Sequence, residues 1–421
     1  MRCSPAGRAI PFVKWAYLIR GNLQGPSVPE PKQLSFREGR QSLTIRRLPT
    51  PSENIIVRSG IMSNHSTIVC KVDPMHPEEL ILARAAESIV RGDLVAFPTE
   101  TVYGLGANAL DPEAVLRIFE AKGRPSSDPL IVHLANRDDL WLVSSAQPRT
   151  ALKLAERFWP GPLTLLLPKS DKIPPEVTAR LQTVAVRVPA HPVALGLLRA
   201  CGVPIAAPSA NRFAHASPTN AQHVLDDLSG RIELILDGGP TPLGIESTVL
   251  DLLSQPPVIL RPGGLPREEI EAVIGPVRIA QPDERLSSSP GRQARHYAPR
   301  AQTVLCSGFE LQEQMQELAE IADEAMRAGR RVGVIAVSEG LRLMRPTTAE
   351  TCDLGPISDL PQVARRLFAG LRTLESAHVD LILAHTLPPE GLGLAINDRL
   401  SRAADRVVPV GPMKGPPSPP L

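Results

Sequence analysis

The sequence predicts an α/β protein in two parts, a larger first domain over residues 73–275 and a smaller one over residues 302–412, and three observations carry that prediction. From Pro77 onward, stretches with helical spacing alternate with short apolar runs, the rhythm of helices and strands in turn. Several of those runs are apolar at every position, which marks strands covered on both faces. Beyond residue 302 a helix-then-strand order repeats, as a small parallel sheet requires.

Taken in chain order, "PEELILARAAESIVRG" sets Leu82, Ala85, Ala86 and Ile89 along one side of a helix, and "DLVAFP" follows as a buried strand. Asp111 and Pro112 have the chemistry of an N-cap and a first-turn proline for the helix "PEAVLRIFEAKG", which Gly123 closes. Further strands are expected at "PLIVHL", "LTLLLP", "TVAVRVP", "PIAAP", "LILDGG", "STVLDL" and "VILRPGG". In the second domain the helix "LQEQMQELAEIADEAMRAG" precedes the strand "RVGVIAV", and "LPQVARRLFAGLRTLESA" precedes "VDLILA". Residues 1–72 mix proline, serine and arginine without periodicity and are expected to be a disordered or targeting extension, with Met62 a candidate internal start. Residues 276–301 have the Pro/Ser/Gly content of a linker, yet they include His296 and Tyr297, which a passive spacer does not need. The tail, residues 413–421, is expected to be disordered.

A chain of 421 residues with 43% apolar content can bury a sizeable core. Its net charge of +2 and pI near 8.3 lack the basic excess of a dedicated nucleic-acid binder, so any polyanion it handles should be small. Five scattered cysteines contain no C-x-x-C pair, which excludes a zinc knuckle or a disulfide framework and fits a reduced, cytoplasmic interior. No apolar run approaches the roughly 20 residues that span a bilayer; the N-terminal "AIPFVKWAYLI" is short and broken by Lys14.

The stretch Ala96–Leu134, "AFPTETVYGLGANALDPEAVLRIFEAKGRPSSDPLIVHL", concentrates polar groups where a strand and a helix end, which is where a rigid scaffold displays binding groups. Lys122 and Arg124 flank Gly123 at a helix end, a place where cations also merely complement the dipole. Arg187 and Arg261 sit in or directly after apolar strands, where an unpaired charge is costly. Four such cations in one concavity would suit a triphosphate. Hydroxyls recur at strand ends: Thr99, Thr101, Thr164, Thr183, Ser209, Ser217, Ser247 and Thr248. Strand threonines have β-propensity as a sufficient reason, and serines after proline are ordinary turn material. His133 closes an apolar strand with no second histidine at metal-ligand spacing. "YGLGANA" and "GLGLAIN" fall short of a dinucleotide fingerprint, and there is neither a P-loop nor a nucleophile elbow.

These residues resemble the YrdC-type domain of threonylcarbamoyl-AMP synthases. The resemblance rests on "FPTETVYGLGANAL", "AKGRPSSDPLIVHL", "FWPGPLTLLLP", "VAVRVPAHPVA", "PIAAPSAN", "SPTNAQHV", "ESTVLDL" and "ILRPGGL", over about Pro77 to Gly275. "SPG…RHYAP" and "GLGLAINDRLSRAA" resemble the linker and C-terminal domain of two-domain, Sua-type members. The resemblance implies a twisted open mixed sheet with a large cavity, followed by a Rossmann-like parallel-sheet domain. It implies an enzyme joining L-threonine, bicarbonate and ATP, with Mg²⁺ arriving on the ATP, and a downstream tRNA threonylcarbamoyl transferase complex as partner. It places Thr99, His133, Arg187 and Ser247 toward threonine. Lys122, Thr183, Ser209, Ser217, Arg261 and Tyr297 are placed toward the nucleotide, with Arg124 a phosphate partner and Lys122, Arg124 and Arg187 catalytic. Residues from about Ser289 to Pro299 are expected to close over the site as a lid. Arg292 and Ala294 depart from the family's linker pattern, which carries a methionine and a basic residue after "SPG" and an aromatic before "RHYAP".

Two other functions compete with this one. A carbamoyltransferase that makes a carbamoyl adenylate uses a similar domain but carries cysteine-rich zinc fingers, absent here. A double-stranded RNA-binding module would use a basic concavity for backbone phosphates and would bind RNA weakly and salt-dependently.

Overall fold

The computed structural model describes residues 55–58, 66–281, 297–344 and 349–411. Most of the N-terminal extension, residues 282–296 of the linker and the tail lie outside the described residues, and with them the positions Arg292 and Ala294 and the larger part of the expected lid.

The first domain is built on a twelve-stranded mixed sheet. Its strands are β1 (Ile55–Arg58), β2 (Thr67–Lys71), β3 (Val95–Pro98), β4 (Tyr103–Asn108), β5 (Ile131–His133), β6 (Leu163–Pro168), β7 (Thr183–Arg187), β8 (Ile205–Ala206), β9 (Leu234–Asp237), β10 (Thr248–Asp251), β11 (Val258–Arg261) and β12 (Arg278–Ile279). They run in the order β1-β2-β9-β3-β4-β8-β5-β7-β6-β10-β11-β12. The strands expected from the sequence form as β3 and β5 to β11.

Three differences from the expected boundaries have physical reasons. β2 lies inside the stretch 1–72 expected to be without structure, but it pairs in parallel with β9 and buries Thr67 and Val69. Burial against a partner remote in sequence supplies what local pattern lacks. β12 extends the sheet past Gly275 by pairing with β11. β4, "YGLGAN", has two glycines that argue against a strand, yet it is central. A Cβ at Gly106 would stand 2.8 Å from both Ile205 Cγ2 and Phe97 Cε1, so glycine is what lets β4 pass between its neighbours.

The helix Glu79–Arg91 buries Leu82, Ala85, Ala86 and Ile89 as its spacing predicts. The helix Pro112–Lys122 begins where Asp111 accepts hydrogen bonds from the amides of Glu113 and Ala114, and it ends at Gly123 with φ +64°. That end point decides where Lys122 and Arg124 go.

The second domain is a five-stranded parallel sheet of β13 (Gln302–Ser307), β14 (Val332–Ala336), β15 (Glu350–Asp353), β16 (Leu381–His385) and β17 (Arg406–Pro409), ordered β15-β14-β16-β13-β17. The helices Leu311–Arg327 and Leu360–Ser376 form where expected. One apolar cluster crosses between the domains: Val102, Ala216 and Ile245 of the first pack with Phe368, Leu371 and Ile396 of the second, around Tyr297. The described cysteines, Cys70, Cys201, Cys306 and Cys352, are free thiols, and no described helix is long and apolar enough to cross a membrane.

Candidate active site

A cavity in the first domain collects the polar ends of several strands. Its walls include Thr99, Thr101, Arg124, His133, Arg187, Ser209, Glu246, Ser247, Arg261 and Tyr297, with Gly104, Leu130, Ile131 and Ala207 as apolar floor. The sheet register explains the convergence. His133 and Arg187 are direct partners on the parallel strands β5 and β7. β10 runs parallel to β6, which brings the Ser247 hydroxyl 2.8 Å from that of Thr164, and its antiparallel pairing with β11 turns Arg261 back toward Ser247.

Each cation has a defined anchor. Arg187 Nη1 donates to Thr101 Oγ1 at 3.1 Å, and Nη2 faces Glu100 Oε2 at 3.5 Å. Its Nε and the second oxygen of Glu100, Oε1, are buried with no hydrogen-bond partner, so the pair keeps capacity for something else. Arg261 donates from Nε and Nη2 to the Ser247 carbonyl, at 3.2 and 2.9 Å. Arg124 is tied to Asp128 Oδ2 at 2.9 Å and to the Pro129 carbonyl at 3.0 Å, which holds its guanidinium in the cavity wall.

His133 is packed edge-on to Phe97, with Nδ1 3.2 Å from the Ile131 carbonyl. Burial, reinforced by the Arg187 charge, pushes its pKa well below the ordinary value of 6.5, so it faces a ligand as a neutral imidazole. Tyr297 adopts φ +66°, uncommon outside glycine, and is held there by ring contacts to Phe368 at 5.3 Å and to the Arg399 guanidinium at 5.2 Å. The next amide, Ala298, donates to the Ala214 carbonyl at 2.9 Å, which fixes the end of the linker on the first domain.

Eight of the expected site residues therefore share one cavity: Thr99, Arg124, His133, Arg187, Ser209, Ser247, Arg261 and Tyr297. Three are placed elsewhere. Lys122 is buried behind the wall, its ammonium donating to the carbonyls of Ser209 (2.5 Å) and Asn211. Burial and the neighbouring Arg124 pull its pKa well below the usual lysine range. Ser217 is fully buried and donates to Glu246 Oε1. Thr183 shares a face of β7 with Arg187 but lies four residues back, about 13 Å along a strand at roughly 3.3 Å per residue.

Sequence reasoning did not find Glu100, Glu246 or Arg399. The signal that singled out Arg187, a charge abutting an apolar strand, applies equally to Glu246 before "STVLDL" and to Glu100 within "PTET". Which cation each would meet is not a local property.

A family model described as telomere recombination matches residues 87–263, and one described as threonylcarbamoyl-AMP synthase, C-terminal domain, matches residues 265–405. A threonylcarbamoyl-AMP synthase of Bacillus subtilis is 47% identical over 339 residues, covering 79% of this chain and 95% of the relative. The chain belongs to the Sua5 family of threonylcarbamoyl-AMP synthases. Another member, from Pyrococcus abyssi, is 48% identical over 331 residues, covering 78% of this chain and 95% of the relative. Among solved structures, P. abyssi Sua5 complexed with L-threonine superposes with a TM-score of 0.77 at 46% identity, covering 82% of this chain and all of that one. The Sua5 likeness thus extends through both sheets.

Proposed function

We propose that the chain makes L-threonylcarbamoyl-AMP and pyrophosphate from L-threonine, bicarbonate and ATP, the first step toward threonylcarbamoyladenosine beside the tRNA anticodon. The observation that carries this reading is the pairing of Arg187 and His133 in register on β5 and β7, inside a cavity that also holds Arg124 and Arg261. One guanidinium beside a neutral imidazole and the hydroxyls of Thr99, Thr101 and Ser247 suits an amino-acid carboxylate and side-chain hydroxyl. Two more guanidiniums and Ser209 suit phosphates.

The threonine amine and bicarbonate condense to a carbamate with loss of water. A carbamate oxygen then attacks the α-phosphorus, and the bond to the pyrophosphate oxygen breaks. Nothing in this sequence needs a protein nucleophile. The chain contributes position, charge stabilisation at the α-phosphate and exclusion of water from a labile carbamate. Tyr297, packed on Phe368, lines the cavity in which the carbamate would have to be kept from water.

Mg²⁺ fits as an ion carried in on the triphosphate, supplying charge neutralisation there. Glu100, Asp128 and Glu246 each pair with an arginine, and no cluster of three His, Cys, Asp or Glu side chains able to hold a metal exists among the described residues. We place the enzyme in the cytoplasm, with a tRNA threonylcarbamoyl transferase complex consuming its unstable product. The test is pyrophosphate release from ATP by the full chain. Release that requires threonine and bicarbonate together supports the reading, and release indifferent to threonine overturns it.

A further inference from the structure

Among the described residues of the second domain, the most buried charged side chain is not part of the cavity, but two of its three partners are. Arg399, in the helix Gly393–Ala403, has no exposed surface. Its Nε donates to Glu246 Oε2 at 2.7 Å across the domain boundary, its Nη1 to Asp398 Oδ2 at 2.7 Å, and its guanidinium lies 5.2 Å from the Tyr297 ring centroid. Glu246 and Tyr297 both line the cavity. Glu246 also immediately precedes Ser247, whose carbonyl holds Arg261.

A carboxylate in the wall of a pocket for a triphosphate is a liability. It repels phosphate oxygens, and it competes for the nearest guanidinium, here that of Arg261. Two-point capture by Arg399 and by the Ser217 hydroxyl removes both problems, because each oxygen of Glu246 then has its own donor. Arg261 correspondingly spends its Nε and Nη2 on Ser247 and makes no hydrogen bond to Glu246.

We propose that Arg399 is a positioning residue through which the second domain neutralises Glu246 and thereby reserves Arg261 for the phosphates of ATP. The proposal rests on the synthase reading above. It gives the second domain a part in nucleotide binding that needs no atom of that domain to touch the nucleotide. It also predicts an asymmetry between variants: a buried pair replaced whole by neutral groups is commonly tolerated, whereas removal of one member leaves a stranded charge.

The experiment uses the full chain and initial rates of pyrophosphate release at varied ATP and varied threonine. Arg399→Met is expected to raise the KM for ATP at least tenfold and that for threonine less than threefold. Glu246→Gln/Arg399→Met, which removes the stranded carboxylate as well, is expected to bring the ATP KM back to within about threefold of wild type. An unchanged ATP KM in Arg399→Met, equal shifts for both substrates, or a double variant no better than the single one overturns the proposal in favour of packing alone. If Arg399→Met does not fold, the double variant decides by itself: an ATP KM near wild type supports the proposal, and a large shift or a failure to fold overturns it. Wild type without threonine-dependent turnover would instead count against the synthase reading, so the two failures are distinct.

Discussion

Asp227 offers a quantitative test of what holds the two domains together. It sits in the helix Ala221–Leu228 of the first domain, and its Oδ2 accepts from Arg372 Nη2 of the second at 2.7 Å, while Oδ1 lies 3.1 Å from His215 Nδ1. Burial alone would raise its pKa, but the His215 hydrogen bond and the Arg372 charge outweigh that and hold it down at about 2. A drop from the ordinary 3.8 to about 2, at about 1.4 kcal/mol per pH unit, makes the ionised form worth on the order of 2 kcal/mol to the folded state. Because the folded value is the lower one, this contribution is fully present above about pH 5 and is lost as the pH falls through about 2. Asp227→Asn should therefore lower the unfolding free energy by roughly 2 kcal/mol at pH 5 and at pH 7, but by only about half as much at pH 3. Urea unfolding of variant and wild type at those three values reads the difference directly. A penalty that stays constant from pH 7 to pH 3 would refute the reasoning, since it would mean that the loss is one of packing or of neutral hydrogen bonding.

Arg187→Met should lower kcat/KM for threonine by about 10²- to 10³-fold, the scale set by loss of one preorganised donor in a water-poor site; a change below tenfold in steady-state rates would place threonine elsewhere. Lys122→Met should act mainly through stability, because it strands the buried carbonyls of Ser209 and Asn211 at about 1–3 kcal/mol each; a variant as stable as wild type but inactive would instead make the ammonium a direct ligand of substrate. With its pKa pushed well below 6.5, His133 stays neutral on mild acidification, so kcat/KM for threonine should show no loss assignable to His133 between pH 8 and pH 6, and a His133→Asn comparison that flattens an acidic limb in that range would contradict it.

How much of this was legible beforehand follows from the range over which each cause acts. Helix limits are set by neighbours in sequence, so Asp111, Pro112 and Gly123 announced the helix that carries Lys122, and the apolar runs announced β3 and β5 to β11. The identity of the cavity residues was legible for a related reason: Arg187, Arg261 and the strand-end hydroxyls are polar groups where burial penalises them, and that tension is visible in one dimension. The strand β4 was not, because its glycines are explained by Phe97 and by Ile205, a residue about a hundred positions away. Nor could the sequence separate Lys122 from Arg124. Two residues apart at a helix end, one points its charge at the carbonyls of a distant loop and the other lines the cavity. Pairings such as Glu246 with Arg399, 153 positions apart, or Asp227 with Arg372, 145 apart, belong wholly to the tertiary structure. Sequence records that a charge needs compensation; only the folded chain, by bringing remote segments within hydrogen-bond distance at low dielectric, decides which partner supplies it and which cations are left over for a ligand.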